Sequence, residues 1–265
     1  MTAQNRTSSQ IRSYRPQTNQ KNGRTGNPGT AYFSGNALKW IAMITMFIDH
    51  SAVVLIENRF LGGQTAGVDY ALALAQPGPW WKLDLAMRLI GRLAFPIFCF
   101  LLVEGFVHTR SVKDYAMRIA VLACVSEIPF DLAIFGRAFY WDYQNVAFTL
   151  LLGIGAMSAW KKCEGKSVFQ VLSAGGFCLM AMMVDCDYGA FGVFLIVLLY
   201  ALRENRRWQA IFGALSVLWE NSAPLAFVLI YFYNGERGKG NWKYLFYAFY
   251  PLHLLLLAGI ARILG

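Results

Sequence analysis

Residues 88–110 read RLIGRLAFPIFCFLLVEGFVHTR, uncharged from Leu93 to Val103 and bounded by Arg92 and Glu104. Together with the residues just before Arg88 this makes an apolar run over 84–108, long enough for the roughly 20 mostly apolar residues that cross a bilayer. Pro96 stands inside the run, where its missing N–H removes a helix hydrogen bond and kinks the backbone. Hydrocarbon tolerates such a break where neighbouring groups or a cavity satisfy the freed carbonyl.

The pattern repeats along the chain. Further runs lie near 37–56, 113–135, 144–160, 168–184, 188–202, 207–219, 221–233 and 243–263. The 265 residues are 57% hydrophobic and 15% charged, with a mean hydropathy of +0.40, against roughly 25% charged in an ordinary soluble domain. So few charges cannot solvate a soluble surface. The expected fold class is an all-α integral membrane protein of about nine transmembrane helices. The seventh and eighth runs are short and also fit a re-entrant pair. One membrane domain is expected over 35–265, with no room for a large soluble one.

Residues 1–34 are polar and carry Arg6, Arg12, Arg15, Lys21 and Arg24 with no acidic residue. They read as a disordered basic cytoplasmic tail. The tail has no apolar h-region, so the first span is expected to serve as its own uncleaved signal. With the tail inside, the inner loops carry Arg110 and Lys113; Lys161, Lys162 and Lys166; Arg203, Arg206 and Arg207; and Arg237, Lys239 and Lys243. The outer connections carry Asp69, Asp142, Asp185, Asp187 and Glu220 instead. Basic excess marks the cytoplasmic side, so the N-terminus is expected inside and the C-terminus outside a multi-pass inner or plasma membrane protein. The net charge of +9 is then a topology signal and a means of meeting anionic lipid, and no nucleic-acid partner is expected. The five cysteines show neither a disulfide framework nor zinc spacing.

Charges inside spans are expensive, about 2.5–3.5 kcal/mol each at the centre on insertion scales. On the expected topology the outer half gathers Asp49 and His50, Arg88 and Arg92, Glu127 and Asp131 flanking Pro129, Gln144 and Asn145, Asp185 and Asp187, and Glu220 and Asn221. His253 falls about ten residues into the last span, near mid-membrane. Arg88 and Arg92 share a helix face, as do Glu127 and Asp131. Two salt bridges between spans two and three would satisfy all four, and a reaction cavity lined by some of them is a compatible reading.

Lys39 and His50 are eleven positions apart, three turns plus about 20°, which puts them on one stripe separated by about 16 Å. Lys39 alone fits a snorkelling anchor. His50 fits either a structural histidine beside Asp49 or an acid/base group, its unperturbed pKa being about 6.5. Glu104 and His108 form an i,i+4 pair near the inner end of span two. A charged lining for a cofactor entrance and ordinary helix-end hydrogen bonding both fit them; a metal site lacks visible third and fourth ligands.

The segments LKWIAMITMFIDH (38–50), RLIGRLAFPIFCFLLVEGFVHTR (88–110), SEIPFDL (126–132), QNVAFTLLLG (144–153), DYGAFGV (187–193) and FYPLHLLLL (249–257) resemble the TraX family, membrane proteins associated with N-terminal acetylation of conjugative pilin. That family is similar in turn to the wider integral membrane acyltransferases, whose basic residue and histidine in the first span Lys39 and His50 match. The resemblance implies an acyl-CoA donor, most simply acetyl-CoA, entering from the cytoplasm, and an acceptor reached from the far side. Pilin is implied by the family, while a surface glycan or lipid is equally consistent with the residues.

Such chemistry needs a base or an acyl-carrying nucleophile and donors for the oxyanion. His50 is expected in the first role, with Asp49 or Glu127 orienting it and His253 a second candidate; Asn145 or Arg92 would supply the donors. Lys39, Arg110, Lys113, Arg118, Glu104 and His108 are the candidates for the coenzyme A end, and no metal is expected. Two other classes use the same polar residues: a transporter or flippase lined by them, and a non-enzymatic pilus or conjugation assembly factor. No internal repeat of the kind common in transporters is visible.

Overall fold

The computed structural model of the chain describes residues 32–61, 78–240 and 242–264. The expected basic tail at 1–34 lies outside them except for its last three residues, as does most of the connection at 57–83. Regular structure among the described residues is helical. Helix α1 (Gly35–Ser51) continues through a π-helical segment (Ala52–Glu57) into Asn58–Phe60. It is followed by α2 (Pro79–Gly91), α3 (Ala94–His108), α4 (Val112–Ile134), α5 (Val146–Lys162), α6 (Ser167–Met183) and α7 (Gly189–Ala201). Helix α8 (Arg206–Ser216) leads through two 3-10 turns (Leu218–Glu220 and Ala223–Leu225) to α9 (Ala226–Tyr231), and α10 (Lys243–Leu264) closes the chain.

Short polar side chains start several of these helices. Ser34, Ser111, Asn145 and Asn205 each accept a hydrogen bond from a first-turn backbone N–H, satisfying donors that a helix leaves orphaned. The second run divides into α2 and α3 at Arg92–Leu93. Pro96 accounts for the place of the break, since its missing N–H leaves the carbonyl four residues back, at Arg92, without its helical donor. Pro129 and Pro251 lie within continuous helices.

Helix α3 is the centre of the bundle. Most of its side chains are buried, and it packs against α1, α5, α7 and α9. One apolar core joins Leu38 of α1 and Phe100 of α3 to Ile154, Leu199 and Phe227. A second joins Met46 and Val54 of the first helix to Phe130 of α4 and to Tyr250 and Leu254 of α10.

Helix α6 lies at the edge, with Ala181 its one fully buried residue and Val168, Leu172, Leu179 and Met183 between 63% and 85% exposed. An outer face of this kind is stable against lipid, since water would leave it unsolvated. By length and composition, three helices among the described residues are apolar enough to cross a membrane: Gly35–Glu57, Pro79–His108 and Tyr244–Leu264. Helices α6 and α7 are apolar but shorter. At about 1.5 Å per residue, α8, with 11 residues, reaches only about halfway across a 30 Å hydrocarbon core.

The contact between α1 and α2 is unusually close at one point. A Cβ placed on Gly91 would overlap the Asp49 side chain, whereas one on Gly175 or Gly176 of α6 would meet nothing within 4 Å. Gly91→Ala is therefore expected to push α2 off α1 and lower stability by about 1–3 kcal/mol. Gly175→Ala and Gly176→Ala are expected to be neutral or stabilising, since alanine favours the helix over glycine. Thermal unfolding of the three variants in one detergent compares them directly.

Candidate functional site

His50 lies near the end of α1, two residues before the backbone widens into its π-helical segment, a distortion common where a helix carries function. Its Nδ1 is 2.7 Å from Nε2 of His253 on α10, and the two rings are nearly parallel at 8°. Nδ1 of His253 is 2.8 Å from the carbonyl oxygen of Phe249. A carbonyl only accepts, so these partners assign the tautomers. His253 donates from Nδ1 to Phe249, and its Nε2 accepts the proton of His50 Nδ1. That leaves Nε2 of His50 unprotonated, with its lone pair outside the relay. His253 is 3% exposed and stacks on Phe249 with ring centroids 4.7 Å apart, so the relay is held rigidly.

Asp49, adjacent to His50 in sequence, binds Arg88 of α2, with Nη1–Oδ2 2.6 Å. The same guanidinium reaches Glu57, with Nε–Oε1 3.1 Å. Asp84, one turn before Arg88 and fully buried, adds a third carboxylate coupled to this group. Arg92 pairs with Glu220 in the 3-10 turn, with Nε–Oε2 3.1 Å, and its Nη1 donates to the Tyr188 hydroxyl at 3.4 Å. The expected bridges from Arg88 and Arg92 to Glu127 and Asp131 are replaced by these pairs. Although one helical turn still joins them, Arg88 reaches α1 and Arg92 reaches the turn after α8.

Glu127 instead accepts from Asn145 Nδ2, and that amide also donates to the Ala123 carbonyl at 2.9 Å. The Oδ1 atom of Asn145 caps α5 by accepting from Ala147 N at 3.0 Å. Asn145 thus has both ends of its amide committed to joining α4 to α5, and Arg92 is likewise held in its ion pair.

The loop before α5 is pinned to the loop before α7. Gln144 N donates to Asp185 O at 3.1 Å and Asp187 N to Gln144 O at 2.9 Å. Tyr143 donates to Asp187 Oδ1 at 2.8 Å, and Thr149 donates to the Asp187 carbonyl. Burial pushes the Asp187 carboxyl above the usual carboxylate range, while the Tyr143 hydrogen bond and the charge of Arg92 act the other way. Tyr188 follows with φ of 60°, a left-handed conformation uncommon for so bulky a residue, and stacks on Phe95 with centroids 3.6 Å apart.

At the other end of the bundle Glu104 is buried and lies 3.6 Å from Arg206 of α8. Arg206 donates to Gln209 at 2.6 Å and covers the ring of Phe100 at 4.6 Å. Sequence reading placed Arg206 only among loop charges. His108 bonds the Glu104 backbone carbonyl at 2.8 Å, the helix-end arrangement. Lys39 lies over the Phe246 ring at 5.1 Å and Arg118 over Tyr115 at 5.6 Å. Arg110 and Lys113 are exposed at the junction of α3 and α4.

Tyr250 is the member of the site that sequence reading missed. Its ring centroid lies 6.3 Å from that of His50 and 5.8 Å from that of His253, and its buried hydroxyl has no hydrogen-bond partner. Its spacing of three from His253 on a helix was the available signal.

A family model described as TraX protein matches residues 34–261, most of the described chain, and the chain belongs to the TraX family. It is 27% identical over 254 residues to the probable fimbrial assembly protein FimC, serogroup H1, of Dichelobacter nodosus, an alignment covering 85% of this chain and 94% of that protein. No solved structure matches.

The ion pairs make the partner assignment testable. Removing one member of a buried pair typically costs about 3–5 kcal/mol, so Arg92→Ala is expected to lower stability strongly. In a double-mutant cycle Arg92→Ala and Glu220→Gln should lose less together than the sum of their separate losses. Arg92→Ala with Glu127→Gln should be additive. Thermal unfolding in detergent measures both cycles.

Proposed function

We propose that this TraX-family chain is an integral membrane acyltransferase that moves an acetyl group from cytoplasmic acetyl-CoA to an acceptor on the outer side of the inner membrane. The observation that carries the reading is the His50–His253–Phe249 relay. It presents one imidazole nitrogen as a base and fixes the tautomer that makes it one. His50 Nε2 takes the proton of the acceptor's amine or hydroxyl as that group attacks the thioester carbonyl. The positive charge that develops on His50 is shared toward His253 through the short hydrogen bond. The Tyr250 ring lies beside both imidazoles, and its buried hydroxyl is the donor this reading assigns to the oxyanion. Collapse of the tetrahedral species expels the coenzyme A thiolate, which takes the proton from His50. Asp49, Arg88, Arg92, Glu127 and Asn145 position the helices around these groups.

The donor side is read at the opposite end of the bundle. Arg110 and Lys113 are exposed there, and with Arg118 and Lys39 they offer cations to the phosphates of coenzyme A; Glu104 and His108 border the same end. The membrane reading extends to nine apolar segments with the N-terminus cytoplasmic and the C-terminus outside. The shortness of α8 and α9 favours a re-entrant pair, which leaves the orientation of α10 unchanged. The likeness to a probable fimbrial assembly protein of Dichelobacter nodosus favours a pilin subunit as acceptor over a surface glycan or lipid. It also supports a second reading, a fimbrial assembly factor without chemistry.

Purified protein incubated with labelled acetyl-CoA separates the two. His50→Ala is expected to remain folded with transfer abolished. The removal of a general base typically costs about 10²–10⁴-fold, and His108→Ala should keep measurable activity. Near-normal transfer by folded His50→Ala would overturn the relay mechanism. Absence of transfer, thioester hydrolysis and self-acylation in the unaltered protein would favour the assembly factor.

Orientation is checked by single-cysteine accessibility in a cysteine-free background. Residues in the 161–167 loop should label only after the cytoplasmic side is opened, and the C-terminus should label from outside in intact cells.

A further inference from the structure

A second polar feature lies on the lipid-facing side of α4, separate from the histidine relay. A cavity of about 210 Å³ is lined by Glu127, Ile128 and Asp131 of α4 and by Phe139, Tyr140 and Trp141 of the loop that follows. Each acid spends one oxygen on the fold: Glu127 Oε2 accepts from Asn145, and Asp131 Oδ2 accepts from Tyr140 N at 2.8 Å. The other oxygen of each, Glu127 Oε1 and Asp131 Oδ1, is buried without a hydrogen-bond partner. Asp131 as a whole is 1% exposed. No basic side chain pairs with either acid among the described residues.

Two spare carboxylate oxygens lie beneath a mostly apolar lining that includes aromatic rings, a setting for a cation that both donates hydrogen bonds and tolerates ring faces. A primary ammonium has these properties, with three N–H donors and attraction to aromatic faces.

The surroundings say what carries the ammonium. Met117, Val121, Val125 and Ile128 are 65%, 55%, 58% and 43% exposed. Their spacing makes one apolar stripe along α4, and Ile128 also lines the cavity, so the stripe runs into it. Phe139 and Trp141, 60% and 81% exposed and stacked at 11°, sit where aromatic side chains mark a membrane–water interface. Arg137, in the same loop, is exposed, and its backbone N–H donates to the Asp131 carbonyl at 3.4 Å. Ammonium at the acids, phosphate near Arg137 and an acyl chain along the stripe describe a zwitterionic amphiphile.

We propose that this cavity binds the headgroup of an aminophospholipid of the phosphatidylethanolamine type. The proposal rests on the chain being membrane-embedded and is independent of the acyl-transfer reading.

The test uses the full-length protein in a neutral maltoside detergent, offered phosphatidylethanolamine, phosphatidylcholine or phosphatidylglycerol of matched acyl chains. Retained lipid is read by native mass spectrometry and thermal unfolding is followed in parallel. Phosphatidylethanolamine is expected to be retained about tenfold better than phosphatidylcholine, whose quaternary nitrogen has no N–H for the two acids. Glu127→Gln should abolish that preference while leaving phosphatidylglycerol retention unchanged. Should this variant unfold, Trp141→Ala, at an exposed position, is expected to reduce the preference in a folded protein. Equal retention of the ethanolamine and choline lipids overturns the proposal, as does a parallel loss of all three lipids in the variants. Displacement of the lipid by free ethanolamine or by a short peptide's N-terminal amine at equal concentration would assign the cavity to a soluble amine and overturn the lipid assignment.

Discussion

Arg88 is the group on which the arrangement of the first two helices depends. A guanidinium in a bilayer is tolerated only when it is met by opposite charge, and here Asp49 and Glu57 meet it from the two ends of the π-helical segment. Satisfying that one cation draws α2 onto α1, requires glycine at the point of closest approach, and sets the rotation of α1. With Asp49 turned toward α2, its neighbour His50 faces α10. The ion pair and the histidine relay are therefore two results of one constraint.

The same principle organises the rest of this end of the bundle. Asp187, Tyr143 and Thr149 bind the start of α7 to α5, Arg92 holds the turn after α8, and Asn145 joins α5 to α4. Polar groups that hydrocarbon would penalise have been converted into joints between helices. Among the buried groups left with spare capacity are one oxygen each of Glu127 and Asp131 and both oxygens of Asp84, and a group left unsatisfied at such cost calls for an explanation, a ligand being one.

The helices were readable in advance because they follow from the solvent: long apolar runs and the cost of charge leave few alternatives. Partners were not readable. Arg88 and Arg92 share a face of α2, and that spacing suggested one common set of acids; their long side chains instead reach different elements, Arg88 the first helix and Arg92 the turn after α8. Arg206 looked like a loop charge because it stands at the end of an apolar run, yet it is drawn into an ion pair. His253 was visible as a polar residue in a span, but its contact with His50 depends on how the first and last helices lie together, which no local pattern encodes. Tyr250 was hidden by composition, one aromatic among the 15% of the chain that is aromatic.

The relay joins residues separated by 203 positions, one on the first helix described and one on the last. Ribosomes deliver these helices in order, so His50 reaches the bilayer long before its partner is made. Until α10 arrives, no carbonyl-anchored imidazole is present to set the tautomer of His50. The hydrogen bond that fixes the His50 tautomer is thus completed only by the last helix. A chain cut short before α10 would lack both this partner and the apolar core that Tyr250 and Leu254 complete.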